Sequence, residues 1–229
     1  MDDAKDRTAD EQANGKGWRQ AGVLIGAVVL LGIPYYHGSP NFLPPEWRFY
    51  WWVGLNLVCL LVVPIAVIHF AWREKISDYG LGVGDAKTWL RYLALFGGVM
   101  VVVIVAASRL PSLQQFYPRY PWARNSMMAL VASEAAWLLY FLAWEFFFRG
   151  FLLNSMLKRF PAGVAIAIQT VPFVLMHFPK PEIEAAASVL AGIALGIMAW
   201  RGKSMVGTWM LHWGCAALLD VLVVVWPAR

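Results

Sequence analysis

A small set of ionisable side chains lies inside long apolar stretches of the sequence, where such groups are rare. The set consists of Glu134, Glu145, Arg149, His177, His212 and Asp220. Ionisable groups are costly in a bilayer, so those that are kept there are usually paired or functional. A carboxylate and imidazoles are also the side chains that most often activate water for hydrolysis. The set therefore indicates either a hydrolytic site or a group of structural pairs.

The positions of Glu145 and His177 on either side of a predicted hairpin favour a common site. Pro161 restarts the chain as a new helix, and each of the two residues lies sixteen positions from it. At ~1.5 Å per residue both are about 24 Å from the turn, so antiparallel packing brings them to the same depth. His212 lies only about 12 Å from the predicted start of its helix. It reaches the same depth only if that helix begins deeper in the membrane.

Each of these residues also has a purely structural interpretation. Glu145 and Arg149 are spaced i, i+4 and can neutralise each other on one helix. His177 stands near a helix end and can be an interfacial residue, and His212 stands between two tryptophans and can pack in an aromatic cluster. Glu134 lies eleven residues before Glu145, ~16 Å along the helix, and is too far away to act with it.

The helices that would position these residues are visible as stretches without charge. The chain has 229 residues, of which 60% are hydrophobic and 14% charged, against about 25% charged in soluble domains. Apolar stretches, one of them interrupted by three charges, cover residues 21–45, 49–72, 92–108, 125–157, 160–178, 185–200 and 204–219. A span requires about 20 such residues, and strand alternation is absent. The sequence predicts an all-α polytopic membrane helix bundle with about seven transmembrane helices, and excludes a soluble enzyme, a disordered regulator and a secreted disulfide scaffold.

The distribution of basic residues predicts the orientation. With a cytoplasmic N-terminus, 13 Lys and Arg residues lie inside and 6 outside, as the positive-inside rule requires. We expect an integral membrane protein, in a bacterial inner membrane, with a disordered cytoplasmic tail over 1–20 and a membrane domain over 21–229. The lipid bilayer is then its environment, and no basic stripe with stacking aromatics indicates nucleic acid. Cys59 and Cys215 lie in apolar stretches and predict neither a disulfide nor a metal pair.

Three segments resemble the motifs of a known protease family. They are WEFFFRGFLL at 144–153, FVLMHF at 173–178 and MLHWGCAALLD at 210–220. They are similar, in this order, to the EExxxR, FxxxH and HxxxN or HxxxD motifs of the CAAX protease and bacteriocin-processing (CPBP, Abi) family of intramembrane endopeptidases. The resemblance covers roughly residues 75–220, because DYGLGVGDAKTWL also looks like that family's approach to its core.

The resemblance assigns site residues position by position. Five residues match the family motifs: Glu145, Arg149, Phe173, His177 and His212. Two positions depart from them, since Trp144 stands where the family has its first glutamate, usually given the role of base, and Ala216 stands where it has Asn or Asp. Asp220, eight residues after His212 on the same helix face, is a partial replacement for the missing polar group. Trp144 is expected to form part of the substrate-facing wall.

These residue types support peptide hydrolysis by an activated water. We expect Glu145 to act as general base on a water that His177 also holds, His212 to donate to the oxyanion, and Arg149 to keep Glu145 ionised. A glutamate and two histidines also form a His₂Glu zinc set with one open position. The HExxH spacing is absent, and the ligands would come from three helices. The resemblance implies a metal-independent glutamate mechanism at least as readily, so zinc stays the less favoured alternative and we predict no cofactor.

The sequence therefore favours an intramembrane endopeptidase of glutamic type, a CAAX-type hydrolase acting on a membrane protein or a lipidated peptide. Prenylated tails, bacteriocin precursors and C-terminal sorting anchors are the substrate classes that the resemblance implies. The alternative is a catalytically inactive relative that serves as a membrane scaffold or partner protein. A small transporter is disfavoured, because neither inverted repeats nor broken helices are found in the sequence.

Overall fold

The computed structural model describes residues 2–227, with side chains from residue 17 onward. Over this range the fold is entirely helical, which confirms the all-α prediction. The helices are α1 (Asp2–His37), α2 (Pro45–Ala71), α3 (Ala86–Ala107), α4 (Pro111–Phe116), α5 (Met127–Leu157), α6 (Ala162–Leu175), α7 (Glu182–Gly202) and α8 (Val206–Val225). Two 3₁₀ turns, Ile76–Tyr79 and Pro121–Arg124, lie in the connections.

Six of the described helices are long and apolar enough to cross a membrane. They are the part of α1 from Gly17 to His37, and α2, α3, α5, α7 and α8. The fifth predicted segment, residues 160–178, forms the shorter apolar helix α6, which has 14 residues. The predicted polytopic helical bundle is therefore confirmed, with one helix too short to cross alone.

Helix α1 begins at Asp2, inside the segment 1–20 for which the sequence predicts a disordered tail. Residues 17–20 already contact the bundle: Arg19 bonds the carboxylate of Glu74 through two nitrogens at 2.8 Å, and buried Gln20 donates to the Ser155 carbonyl at 3.2 Å. The packed part of the chain thus starts earlier than residue 21. The division into a tail and a membrane domain stays a prediction.

Helix α5 lies at the centre of the bundle and is in contact with α2, α6, α7 and α8. Its middle section, Phe146–Leu152, has π-helical hydrogen bonding, and every residue of it is buried. Insertions of this kind are frequent at functional sites, because the wider turn changes the direction of the side chains that follow. The π segment starts directly after Glu145, so the local backbone is adapted at the predicted site.

The last helix, α8, begins beneath a loop that folds over its start. The Met205 amide donates to the Gly80 carbonyl at 3.0 Å, and the Ser204 hydroxyl donates to the Gly82 carbonyl at 2.5 Å. Gly84 has a φ of 58°, and a Cβ there would collide with the carbonyl oxygens of residues 202 and 203. A recessed start of this kind is what His212 requires to reach the depth of Glu145.

Candidate active site

A direct contact between Glu145 and His212 forms the centre of the site. The Glu145 Oε1 and His212 Nδ1 atoms are 2.6 Å apart, and the side chain of Glu145 is fully buried. An ionised carboxylate can only accept, so Nδ1 of a neutral imidazole carries the proton and donates it. The other ring nitrogen, Nε2, then keeps its lone pair. The side chain of His212 retains 16% exposure, so it is the more accessible member of the pair.

Arg149 supplies the positive charge next to this pair. Its Nε lies 3.4 Å from Glu145 Oε2, and its Nη1 lies 3.4 Å from Oε1, with both side chains fully buried. The guanidinium carbon also lies 4.2 Å from the centre of the Phe173 ring. Among the described residues, Nε and Nη2 of Arg149 have no hydrogen-bond acceptor. Two buried donors therefore remain free beside the carboxylate.

His177 is the second imidazole that lies next to the Phe173 ring. Its Nδ1 lies 2.7 Å from the Phe173 carbonyl oxygen and so donates to it, which leaves Nε2 as an acceptor. The ring centres of His177 and Phe173 are 4.5 Å apart, and those of His212 and Phe173 are 6.0 Å apart. The two histidines thus share one aromatic neighbour. A water-bridged contact between His177 and Glu145 stays a prediction.

Trp144, at the first motif position, is packed into the wall of the site. Its ring centre is 6.0 Å from that of Phe173 and 6.2 Å from that of His177. The indole is 4% exposed, and its Nε1 has no acceptor among the described residues.

Phe141 is a site residue that the sequence interpretation did not include. Its ring centre lies 4.3 Å from that of His212. Its position one turn before Glu145 in the sequence was the available signal.

The tryptophans on either side of His212 hold α8 against α5. Trp209 donates its indole hydrogen to the Leu138 carbonyl at 2.9 Å, and Trp213 donates to the Glu134 carbonyl at 3.2 Å. The two acceptors are one turn apart on α5. These bonds fix the register of the two helices, so that His212 faces Glu145.

A second acidic pair lies further along the same two helices. The carboxyl groups of Glu134 and Asp220 are within hydrogen-bonding reach of each other. Three of their four oxygens are buried and accept no hydrogen bond from any donor group of the described residues. Asp220 is 2% exposed and faces Glu134 rather than the Glu145 pair. The sequence interpretation did not include this pairing, although the positions relative to Glu145 and His212 allow it.

Within the described residues, no group of three or more His, Cys, Asp or Glu side chains is arranged to hold a metal ion. Glu145 Oε1 and His212 Nδ1 are engaged with each other, so these two atoms would have to separate before they could coordinate an ion. The prediction that the protein needs no metal stays a prediction.

Residues 126–218 match the family model described as type II CAAX prenyl endopeptidase Rce1-like. The match covers about two fifths of the chain and includes Glu145, Arg149, His177 and His212. It confirms the resemblance to the CAAX protease family over this segment. This segment of an integral membrane protein is thus similar to type II CAAX prenyl endopeptidases. No curated protein and no solved structure gives a significant match to the chain.

Proposed function

We propose that the protein is an intramembrane endopeptidase that hydrolyses a peptide bond in a membrane-embedded or membrane-anchored protein. The observation that carries this proposal is the hydrogen bond between His212 and the fully buried carboxylate of Glu145. A buried carboxylate that orients an imidazole is the base-forming half of a hydrolytic triad, in which the carboxylate fixes the tautomer and stabilises the imidazolium that forms. Here a water molecule would take the place of the hydroxyl nucleophile.

The contacts of the pair suggest how the proton moves. With Nδ1 of His212 bonded to Glu145, Nε2 is the nitrogen that can accept a proton from an attacking water. Glu145 then stabilises the imidazolium rather than taking the proton itself. This division of roles differs from the sequence interpretation, in which Glu145 is the base and His212 an oxyanion donor. Residue types alone do not distinguish the two, whereas the 2.6 Å contact favours the pair as a unit.

The oxyanion of the transition state needs preorganised hydrogen-bond donors. Arg149 offers Nη2 and Trp144 offers Nε1, and both atoms are buried without an acceptor. An unused buried donor costs about 1–3 kcal/mol, so it is expected where a bound substrate supplies the acceptor. In this proposal His177 holds the attacking water through Nε2 and donates through Nδ1 to the Phe173 carbonyl.

An inactive relative is the second candidate, and Trp144 is the observation that favours it. In the family this position usually holds a glutamate that is given the role of catalytic base. In this chain it holds Trp144, whose indole packs against Phe173 and His177. The endopeptidase is preferred because Glu145 and Arg149, both fully buried, and His212, largely so, are kept together in the bundle interior. Keeping such groups in a membrane costs several kcal/mol, and groups that are kept despite this cost are usually paired or functional.

Comparison of membrane proteomes by C-terminal peptide mapping tests the proposal. Three strains are compared: one with the intact protein, one without it, and one with Glu145→Gln. We expect a set of new protein termini that appears only with the intact protein. Termini that are identical in the intact and Glu145→Gln strains, or absent from all three, would favour the inactive relative.

A further inference from the structure

The Glu145 carboxylate is held closely at only one of its two oxygens. Oε1 lies 2.6 Å from Nδ1 of His212. Among the described residues, Oε2 accepts no hydrogen bond, and Nε of Arg149 lies 3.4 Å from it. Charge-assisted hydrogen bonds are usually about 2.7–2.9 Å long, so Arg149 supplies charge to this oxygen without fixing its direction. A further donor is needed to fix the rotation of the carboxylate about its last bond.

Thr208 is the side chain that can supply this donor. It lies on α8 one turn before His212 and is 0% exposed. Its hydroxyl is within hydrogen-bonding reach of the Glu145 carboxylate. Residue Ala216, one turn after His212, has only a methyl side chain. The polar neighbour of the histidine on this part of α8 therefore stands before it and not after it.

The hydroxyl of Thr208 can change its acceptor without leaving a buried group unpaired. It donates to the Met205 carbonyl oxygen at 2.8 Å, and the same oxygen accepts the Trp209 amide at 2.9 Å. When the hydroxyl turns away, the carbonyl therefore keeps a hydrogen bond. A hydroxyl has a single hydrogen to donate, and a bond to an ionised acceptor is stronger than one to a neutral carbonyl. Turning from Met205 to Glu145 thus exchanges a redundant bond for a stronger one.

The backbone that carries Thr208 is fixed on both sides. The Met205 amide donates to the Gly80 carbonyl at 3.0 Å, and the Trp209 indole donates to the Leu138 carbonyl of α5 at 2.9 Å. A side chain that orients another one must itself be held by its surroundings. The first turn of α8 meets this requirement.

We propose that Thr208 is a positioning residue for the Glu145–His212 pair, and that its hydroxyl donates to Oε2 and holds Oε1 on Nδ1 of His212. This inference rests on the proposed function and adds one residue to it. Thr208 and His212 lie on one helix, so their two donors are fixed relative to each other and contact both carboxylate oxygens together. When His212 takes the proton from water, the carboxylate is kept facing the imidazolium. Thr208 acts through Glu145 and not on the substrate.

Three substitutions separate the hydroxyl from the packing of the side chain. Thr208→Val keeps the shape and removes the hydroxyl, whereas Thr208→Ser keeps the hydroxyl. Thr170→Val is the matched control, because Thr170 is also buried and its hydroxyl also donates to a carbonyl of its own helix, at 2.8 Å. It makes the same chemical change on α6.

Cleavage of a substrate identified by terminal mapping is measured in vesicles. We expect kcat to fall about tenfold in Thr208→Val with KM within about twofold, because the lost hydrogen bond orients the base rather than the substrate. In Thr208→Ser and Thr170→Val, kcat should stay within about threefold of the natural chain. An unchanged kcat in Thr208→Val, or a Thr208→Ser variant that is equally slow, would overturn the inference.

Infrared spectroscopy tests the hydrogen bond without relying on cleavage. The protein is labelled with ¹³C at the side-chain carboxyl carbon of glutamate, and subtraction of the Glu145→Gln spectrum leaves the bands of Glu145. We expect Thr208→Val to shift these carboxylate bands, and Thr208→Ser and Thr170→Val to leave them in place. Unshifted bands in Thr208→Val would overturn the inference. If the natural chain cleaves no substrate, the proposed function fails, and the infrared bands still decide whether Thr208 is bonded to Glu145.

Discussion

Helix α5 carries two acidic side chains, Glu145 and Glu134, at different depths. Each of them faces a different partner on α8. Glu145 meets an imidazole at 2.6 Å and a guanidinium at 3.4 Å. Among the described residues, the carboxyl group of Glu134 meets another acid, Asp220. The two pairs are separated from each other by eleven positions on α5 and by eight on α8, ~16 Å and ~12 Å along the helices. One antiparallel helix pair thus produces two acidic sites of opposite character.

The difference in partners gives the two acidic pairs different chemistry. A carboxylate with cationic and donor partners stays ionised and can orient a histidine. Two facing carboxyl groups in a bilayer do not readily ionise together, and this pair has no imidazole to orient. Burial of acids in the membrane is therefore not sufficient for catalysis. The chemistry of the facing side chain on α8 decides what each acid on α5 can do.

The largest expected effect comes from Glu145→Gln. Glutamine keeps the volume but removes the charge that fixes the tautomer of His212 and stabilises its imidazolium, so cleavage should fall by more than about 10²-fold. The rate of substrate cleavage in reconstituted vesicles measures this. Glu134→Gln is the matched control, because it makes the same chemical change on the same helix, and it should keep cleavage within about threefold. Equal losses in both variants would show that the two pairs do not differ in function.

A smaller loss is expected when the family's acidic pair is restored by Trp144→Glu. The indole packs against Phe148 and Phe173, and a second carboxylate beside Glu145 cannot ionise with it. We expect lower cleavage, with losses of up to about 10²-fold, because the substitution removes the indole Nε1 donor proposed for the oxyanion. Trp144→Phe controls for packing, since it keeps the ring and removes only the indole donor. Cleavage that appears only in Trp144→Glu would show that the natural chain is inactive.

Asp220→Asn should have a still smaller effect. The amide of the new Asn can donate a hydrogen bond to Glu134 in place of the proton between the two carboxyl groups. The free energy of unfolding should therefore change by less than about 1 kcal/mol. Asp220→Leu removes that partner and should cost about 1–3 kcal/mol. Thermal unfolding in detergent compares the two variants. If both are equally stable, Glu134 does not depend on Asp220.

A similarly small effect, which depends on pH, is predicted for a third acid, Glu74, which lies outside the membrane-spanning segments. Hydrogen bonds from Arg19, and then from Lys158 and Tyr79, hold its pKa well below the ordinary value of a glutamate. A lowered pKa stabilises the fold above the unfolded value of about 4.3, and that contribution is lost as the pH falls. Glu74→Gln should therefore cost about 1 kcal/mol at pH 7 and progressively less in acid. A cost that is independent of pH would show that the charge contributes nothing.

Much of the fold could be predicted from the sequence, because the bilayer imposes a length and polarity rule on every helix. The apolar stretches of the sequence predicted all six long helices and the short helix α6. The start of α8 could not be placed, since the recess depends on hydrogen bonds between residues 80–82 and residues 204–205 that are distant in sequence. For the same reason, helix arithmetic placed His212 too close to the membrane surface.

The sequence named the residues that the structure brings together but not their pairing, and their roles stay predictions. Motif spacing identified Glu145, Arg149, His177 and His212, and the family match covers them. Which histidine contacts Glu145 depends on the rotation of α8, and the indole bonds of Trp209 and Trp213 to α5 fix that rotation. The role of Asp220 was misplaced for a related reason, because a shared helix face does not specify depth.

The most direct test of the central claim is a double-mutant cycle on the Glu145–His212 pair. Cleavage of a substrate identified by terminal mapping is measured in vesicles for Glu145→Gln, His212→Gln and the double variant. Residues that act as one unit show non-additive losses. We predict that each single variant loses more than about 10²-fold and that the double variant is no worse than the poorer single one. Losses that multiply, or cleavage that survives in Glu145→Gln, would contradict a carboxylate–imidazole unit as the base.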